Sequence, residues 1–449
     1  MEPAAAGILY AAQDVLSGAA ALVKGITHPT QPIKANLTRI TSVPLPRSQH
    51  TVSIVKGRAY IFGGETAPGK LADNDMHIVI LPSSGVLDAD YTSKPAQAAN
   101  GLDDVPRSRK GHTAVVIGDT IYICGGEGHG ITNENGRIWA YHTVSNAWSY
   151  LDPAPGTTAP SHRVGHTSAS SDLPAAKTVT YQEKSPQQPA DPVKVVPEPP
   201  VDDTWGTIFI VGGHDASSRA LATDALAFDL RSRTWSNIPS PPGQPREGAS
   251  LALAGSRLYR FGGKGVETFA SGALEYLDVA PVFTHAEGGT TPLTSGWAWQ
   301  EVSHVESKEL SAPQARSSAG LVELTTGQGR HYLLAVGGED EDSKYLDDIW
   351  TFQLPSEHAT AAATKDAIRA SIKRNTHQAT WAEVLYEYVD TKGEEEKEIP
   401  GEPRRGLGER GQFGLAKGTE VDGATCVVWG GVDSRGNVLT DGWMVTVDR

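Results

Sequence analysis

The chain has 449 residues, with Gly abundant (48), Pro frequent (29), Met rare (3) and a formal net charge of −14. That charge argues against nonspecific binding to nucleic acid or to an anionic membrane, both of which need a basic face. The Gly and Pro content favours many short strands over long helices, and two cysteines, Cys124 and Cys426, are too few for a disulfide framework.

In chain order, the first segment, MEPAAAGILYAAQDVLSGAAALVKG, is rich in Ala, Leu and Val, lacks a basic start and carries Asp14 within its apolar stretch. It reads as a short amphipathic helix rather than a signal peptide. No run approaches the roughly 18 uncharged residues of a membrane span. A soluble cytoplasmic protein is expected, with the nucleus as the alternative compartment, and residues 1–35 are its helical extension. The next stretch, KANLTRITSVPLP, has strand character.

From there a pattern recurs. Arg47, Arg109, Arg163, Arg246, Arg316 and Arg410 each open a short strand of small residues. His50, His112 and His166 stand three residues after the first three arginines, and Ala249, Ala319 and Phe413 after the others. An apolar strand follows each time and ends in a glycine pair: Gly63-Gly64, Gly125-Gly126, Gly212-Gly213, Gly262-Gly263, Gly337-Gly338 and Gly430-Gly431. A third strand comes next, introduced by Asp or Asn in five repeats, as in TDALAFDL and DDIWTFQL. A fourth is marked by Trp in NAWSYLD, RTWSNIP, WAWQEVS and ATWAEVL. We label these strands a to d, with the arginine at the start of a and the glycines at the end of b.

Four short strands recurring six times are the signature of a β-propeller. The order Arg-x-x-His, apolar strand, apolar-Gly-Gly, Asp strand, Trp strand resembles the kelch-repeat family from about Ile40 to Arg449. The expected fold is all-β, a six-bladed kelch β-propeller over residues 36–449. Glycine suits a strand end where blades converge, because it permits close backbone approach and positive φ. Trp on an outer strand supplies an apolar plate between blades. The sixth repeat stops after its third strand, DGWMVTVDR, so residues about 36–44 are expected to complete the last blade and remove two open sheet edges.

The repeats are unevenly spaced because segments are inserted at about 171–203, 280–296, 355–378 and 390–406. The first is Pro-rich and polar, and reads as a loop without a core. The third has the Ala, Lys and Arg content of a helix of two to four turns. Alternating strand direction sorts connections by face. The first three insertions lie in a–b or c–d connections on one face, and the acidic fourth joins d to a on the other.

The b–c and d–a connections should ring one mouth of the central channel. Glu65, Glu127, His214, Lys264, Glu339 and Val432 directly follow the glycine pairs. With the six arginines and His50, His112 and His166 they would mix acids, bases and guanidinium groups, a surface suited to an acidic peptide segment or a polar small molecule. The preferred reading of the arginines is structural, bonding backbone carbonyls, and of the histidines likewise, within their own blades. A metal site would need the three histidines to converge; no metal and no cofactor is expected. The iron motif Glu-x3-Asp-x3-His of the plant specifier proteins within this family is absent. Both cysteines lie in blade strands, where the Cys–Tyr crosslink of kelch copper oxidases has no place. No nucleophile elbow, phosphate-binding loop or dinucleotide fingerprint is present. The resemblance most often implies a non-enzymatic protein–protein platform. The alternative is a small-molecule enzyme, such as an isomerase, cyclase or lyase, using the same mouth. Deleting residues 36–46 should lower the thermal unfolding temperature of the whole ring, whereas deleting residues 1–25 should leave it nearly unchanged.

Overall fold

The computed structural model describes residues 30–447 apart from 41–43, 82–90, 100, 132, 176–204, 285–295, 303–311, 327–328, 356–359, 373, 390–406 and 419–423. The expected N-terminal helix, most of the insertion at 171–203 and all of that at 390–406 lie outside the described residues. Strands a to d of blade one are Thr51–Val55, Arg58–Phe62, Met76–Ile80 and Tyr91–Lys94. Those of blade two are Thr113–Ile117, Thr120–Cys124, Ile138–His142 and Ala147–Leu151. Blade three has Thr167–Ser171, Thr207–Val211, Ala225–Asp229 and Thr234–Ile238. Blade four has Ser250–Ala254, Arg257–Phe261, Leu274–Asp278 and the two-residue Gln300–Glu301. Blade five has Gly320–Thr326, Arg330–Val336, Ile349–Gln353 and Trp381–Glu383. Blade six takes a, b and c from Gly414–Lys417, Thr425–Trp429 and Gly442–Val447.

Each a strand lies beside the a strand of the next blade, and the sixth lies beside the first. The described chain is therefore a closed six-bladed β-propeller. Side chains alternate across each sheet, and here both faces are covered by neighbouring blades. This explains why a strand such as TIFIV (207–211) is wholly buried and apolar at every residue after Thr207. The apolar side chains gather into one cluster per seam. In the seam between blades one and two, Trp148 from strand d of blade two is fully buried and meets Phe62 of blade one with ring centroids 5.0 Å apart. The outer-strand tryptophan thus fills the inter-blade space assigned to it.

Blade six is closed from the N-terminal side by Lys34–Arg39, antiparallel to strand c with Leu37 opposite Val445. The strand starts two residues before the expected segment and ends at Arg39. One feature was not foreseen. After Trp381–Glu383 the chain steps over at Val384, and Leu385–Val389 pairs parallel with Lys34–Arg39, placing Leu37 opposite Tyr388. The N-terminal strand is consequently interior to a five-stranded sheet. Just upstream, buried Gln31 donates from Nε2 to the carbonyls of Thr380 (3.3 Å) and Thr351 (3.4 Å) in blade five. The N-terminal segment fastens two blades.

The helix expected in the insertion at 355–378 is Ala361–Ser371, capped by Thr360 Oγ1, which accepts from Ala363 N–H at 3.1 Å. Its inner face is ionic: buried Asp366 lies 2.6 Å from Arg330 of blade five and 2.7 Å from Arg369. Among the described residues no helix is long and apolar enough to cross a membrane.

The glycine pairs do more than turn the chain. At every first glycine, a Cβ would approach a carbonyl oxygen of the following blade's arginine: 2.5 Å from Arg109, Arg163 and Arg246, 2.4 Å from Arg316, 2.8 Å from Arg410 and 2.3 Å from Arg47. The second glycine's N–H donates to that same oxygen at 2.8–3.0 Å, and Gly431 to Arg47 closes the circle. Both glycines of every pair have positive φ. Gly430 (φ +59) and Gly118 (φ +58) share a backbone conformation, but nothing lies within 4 Å of a Cβ at Gly118. Gly118→Ala should therefore show only the left-handed strain, about 1–2 kcal/mol. Gly430→Ala should cost at least about 2 kcal/mol more from overpacking at the seam, read from urea unfolding midpoints.

Candidate functional site

The six arginines have structural partners. Arg47, Arg109, Arg163, Arg316 and Arg410 are buried, and the Arg246 side chain is only 13% exposed. Arg109, Arg246, Arg316 and Arg410 donate through Nη1 to the carbonyl of their own blade's first glycine, at 2.9, 3.2, 2.9 and 3.2 Å. Each arginine also meets a side chain in or before strand c. Arg109 grips Glu134 with two bonds of 2.9 Å, and Arg316 grips Asp348 at 2.6 and 2.8 Å. Arg163 pairs with Asp224, Arg246 with Glu275 and Arg410 with Asp441. In blades two, five and six a strand-c tryptophan, Trp139, Trp350 or Trp443, donates its indole N–H to the same carboxylate. Burial alone would raise the Glu134 carboxyl; bonds from Arg109 and Trp139 win and hold it below the usual range. Blade one differs, because Arg47 Nη2 lies 2.8 Å from His77 Nε2. Guanidinium groups so placed are not free anchors for an outside carboxylate.

The histidines act across seams. His112 Nε2 bonds Thr51 Oγ1 of blade one at 3.0 Å, and His166 Nε2 bonds Thr113 Oγ1 of blade two at 2.9 Å. The expectation that they serve their own blades is thereby corrected. Each ring reaches across the seam over the first glycine of the preceding blade, where a Cβ at Gly63 or Gly125 would lie 2.8 Å from its Cε1. His50 faces Gly414, which stands where the other two histidine seams carry Thr51 and Thr113, and neither of its ring nitrogens has a hydrogen-bond partner among the described residues. Among those residues, no three His, Cys, Asp or Glu side chains are placed to hold a metal.

At the mouth, the residue after each arginine pairs with the residue after the glycines: Ser48 with Glu65, Lys110 with Glu127, Val164 with His214, Glu247 with Lys264, Ser317 with Glu339 and Gly411 with Val432. The sequence-derived mouth residues are therefore brought together. Lys110, Arg219 and Glu247 were missed, and they join them into a chain of contacts over blades one to four. Lys110 Nζ is 2.7 Å from Glu65 and 3.9 Å from Glu127. Glu127 lies 3.3 Å from Arg219 Nη2, and Arg219 Nη1 lies 2.7 Å from His214 Nε2. His214 Nδ1 bonds Glu247. Since a guanidinium only donates, His214 Nε2 accepts and its proton sits on Nδ1, directed at Glu247. The available signal was position: these residues adjoin the recognised arginines and glycines, apart from Arg219 in the b–c loop. Between blades two and three, a cleft lined by Glu134, His162 and Arg163 has a volume of about 20 Å³, room for one water rather than a metabolite.

Both cysteines are buried and free, and burial pushes their thiols up to about 12. Burial, then the arginine three residues upstream, pushes His50 and His166 down to about 3 and His112 well below the ordinary value of 6.5. Folded values below unfolded ones mean that the unfolded chain takes up these protons first. Their contribution to stability is complete above pH ~6.5 and is lost as pH falls toward about 3, at about 1.4 kcal/mol per histidine per pH unit. Urea midpoints measured from pH 7 to pH 4 should fall steeply, and His112→Gln with His166→Gln should reduce that slope by about two protons.

Residues 32–174 match the KLHDC2/KLHL20/DRC7 Kelch-repeats domain. The chain is 30% identical to the N-(sulfonatooxy)prop-2-enimidothioate sulfolyase of Thlaspi arvense over 28% of this chain and 34% of that protein. It is 25% identical to Kelch domain-containing protein 3 of Bos taurus over 49% of this chain and 48% of that one. It is 29% identical to human Kelch domain-containing protein 1 over 25% of each. The matched stretches thus span half or less of these relatives. A solved structure titled "Structure of YjhT" superposes with a TM-score of 0.50 at 14% identity, covering 91% of this chain and 99% of that one, a likeness of fold. Six Arg/Gly-Gly repeats, a closed six-bladed ring and these matches agree: residues 32–174 carry kelch repeats, and the described chain has the six-bladed β-propeller fold.

Proposed function

We propose that the chain is a non-enzymatic interaction module that binds a protein partner on the face made by the b–c and d–a connections. The observation that carries this reading is the belt of charged side chains from Glu65 to Glu247, which is presented at the mouth rather than sunk in a pocket. The cleft beside it holds about one water's volume, so an extended contact suits the surface better than an engulfed metabolite. An acidic partner segment would meet Lys110, Arg219 and Lys264, since the repeat arginines are already paired. Arg219 is 61% exposed and can exchange its carboxylate at little cost.

A second reading has one specific support. His214, oriented by Glu247 on Nδ1 and facing Arg219 with Nε2, has the arrangement of a carboxylate-held general base, and one relative is named a sulfolyase. Affinity purification separates the readings. Lys110→Glu with Arg219→Glu should lose specific proteins that wild type and Lys56→Glu, a variant on the opposite a–b face, both retain. An identical set of proteins from all three would remove the proposed surface. A metabolite that raises the wild-type unfolding temperature, but not that of His214→Ala, would favour the enzyme.

A further inference from the structure

The second residue after each arginine stands around the mouth, and backbone hydrogen bonds join these six residues into an arc of five links. Gly111 N–H donates to Gln49 C=O, Gly165 to Gly111 and Gly248 to Gly165, each at 3.0 Å. Ser318 donates to Gly248 at 2.7 Å, and Gln49 to Gln412 at 2.8 Å. Every member is left-handed: φ is +64, +63 and +61 at Gly111, Gly165 and Gly248, and +53, +56 and +52 at Ser318, Gln412 and Gln49. Glycine holds this conformation without strain, and blades two, three and four use it. Blades five, six and one, which are consecutive around the ring, carry side chains there instead. Strain kept at the same position in three adjacent blades points to a task for the side chains.

Geometry at the glycines shows where such side chains start. A Cβ at Gly248 would lie 3.1 Å from Ser318 Oγ, and one at Gly165 would lie 3.8 Å from Glu247 and 3.9 Å from His214 Nδ1. The position therefore leans over the mouth residues of the next blade. Gln49, Gln412 and Ser318 are half-buried, and their side chains have no hydrogen-bond partner among the described residues. The charged belt on the other side of the mouth is, by contrast, paired link by link. Of the six paired positions beside the three, Ser48, Ser317, Gly411 and Val432 are uncharged, and Glu65 and Glu339 are the exceptions. A carboxamide offers a donor and an acceptor side by side, which matches the N–H and C=O of a peptide unit.

We propose that Gln412, Gln49 and Ser318 form a subsite that hydrogen-bonds the main-chain amides of an extended polypeptide segment entering the mouth. The inference rests on the interaction-module reading and specifies its chemistry: the segment is read through neutral peptide groups on this arc, whatever its side chains meet on the charged one.

The test uses the full chain with 15N-labelled glutamine and serine, and a defined probe, N-acetyl-triglycine N-methylamide. Saturable shifts of the Gln49 and Gln412 side-chain amides and of the Ser318 backbone amide are expected. Triethylene glycol dimethyl ether, which accepts but cannot donate, should leave them unmoved. Absence of any shift, or equal shifts with the ether, overturns the proposal. In Gln49→Gly with Gln412→Gly the Ser318 response should weaken at least tenfold, while the urea midpoint stays equal or rises because strain is relieved. A lower midpoint would make the two side chains structural and overturn the proposal as well. If Lys110→Glu with Arg219→Glu abolishes partner capture and the double glycine variant captures the same proteins as wild type, the interaction module stands and this subsite falls.

Discussion

The ring depends on one contact made six times: the arginine carbonyl of one blade accepting the second glycine N–H of the blade before it, across a first glycine that has no Cβ. A single hydrogen bond contributes about 1 kcal/mol net, so the contact matters less for its strength than for its separation. It sets how near two sheets may come, and the apolar side chains of each seam are sized to that gap. The same arginine then turns its guanidinium back on its own blade, to the glycine carbonyl and the carboxylate in or before strand c. One residue type thereby ties the top of a blade to itself and to its neighbour.

Much of this was legible because each signal is local. The glycine pair, the arginine and the outer tryptophan are short motifs at the ends of strands, and their order alone fixed six blades. The Asp or Asn before strand c was visible too, yet its role was not, since the arginine bound by Asp224, Asp348 or Asp441 lies 61, 32 or 31 residues earlier and nothing in either stretch names the other. Inter-blade pairings were hidden for the same reason. His112 and Thr51 are 61 residues apart, and no periodicity relates them. The parallel strand Leu385–Val389 was hardest to see, because parallel pairing beside a strand from the other end of the chain leaves no turn signal.

The mouth is built from one template but is not symmetric. Blades one to four carry Glu65, Lys110, Glu127, His214, Arg219 and Glu247, whereas blades five, six and one offer Ser318, Gln412 and Gln49 on strained backbone. Backbone six-fold repetition sets where side chains can stand; substitution at three positions per blade, with Arg219 added from a b–c loop, then gives the rim one arc of linked charges and another that is mostly neutral. Such a division is how a repeat fold acquires a specific binding surface without altering its core.

The placement of Lys34–Arg39 inside the sixth sheet has a consequence for biosynthesis. That strand is made before its partner Gly442–Val447, which follows about 400 residues later, some 20–80 s at about 5–20 residues per second. Its other neighbour, Leu385–Val389, is also made hundreds of residues after it, so both of its hydrogen-bonding edges lack their native partners while the blades between are synthesised. Bare edges of this kind invite pairing with other strands, so the latch of the finished ring is also its point of exposure during synthesis.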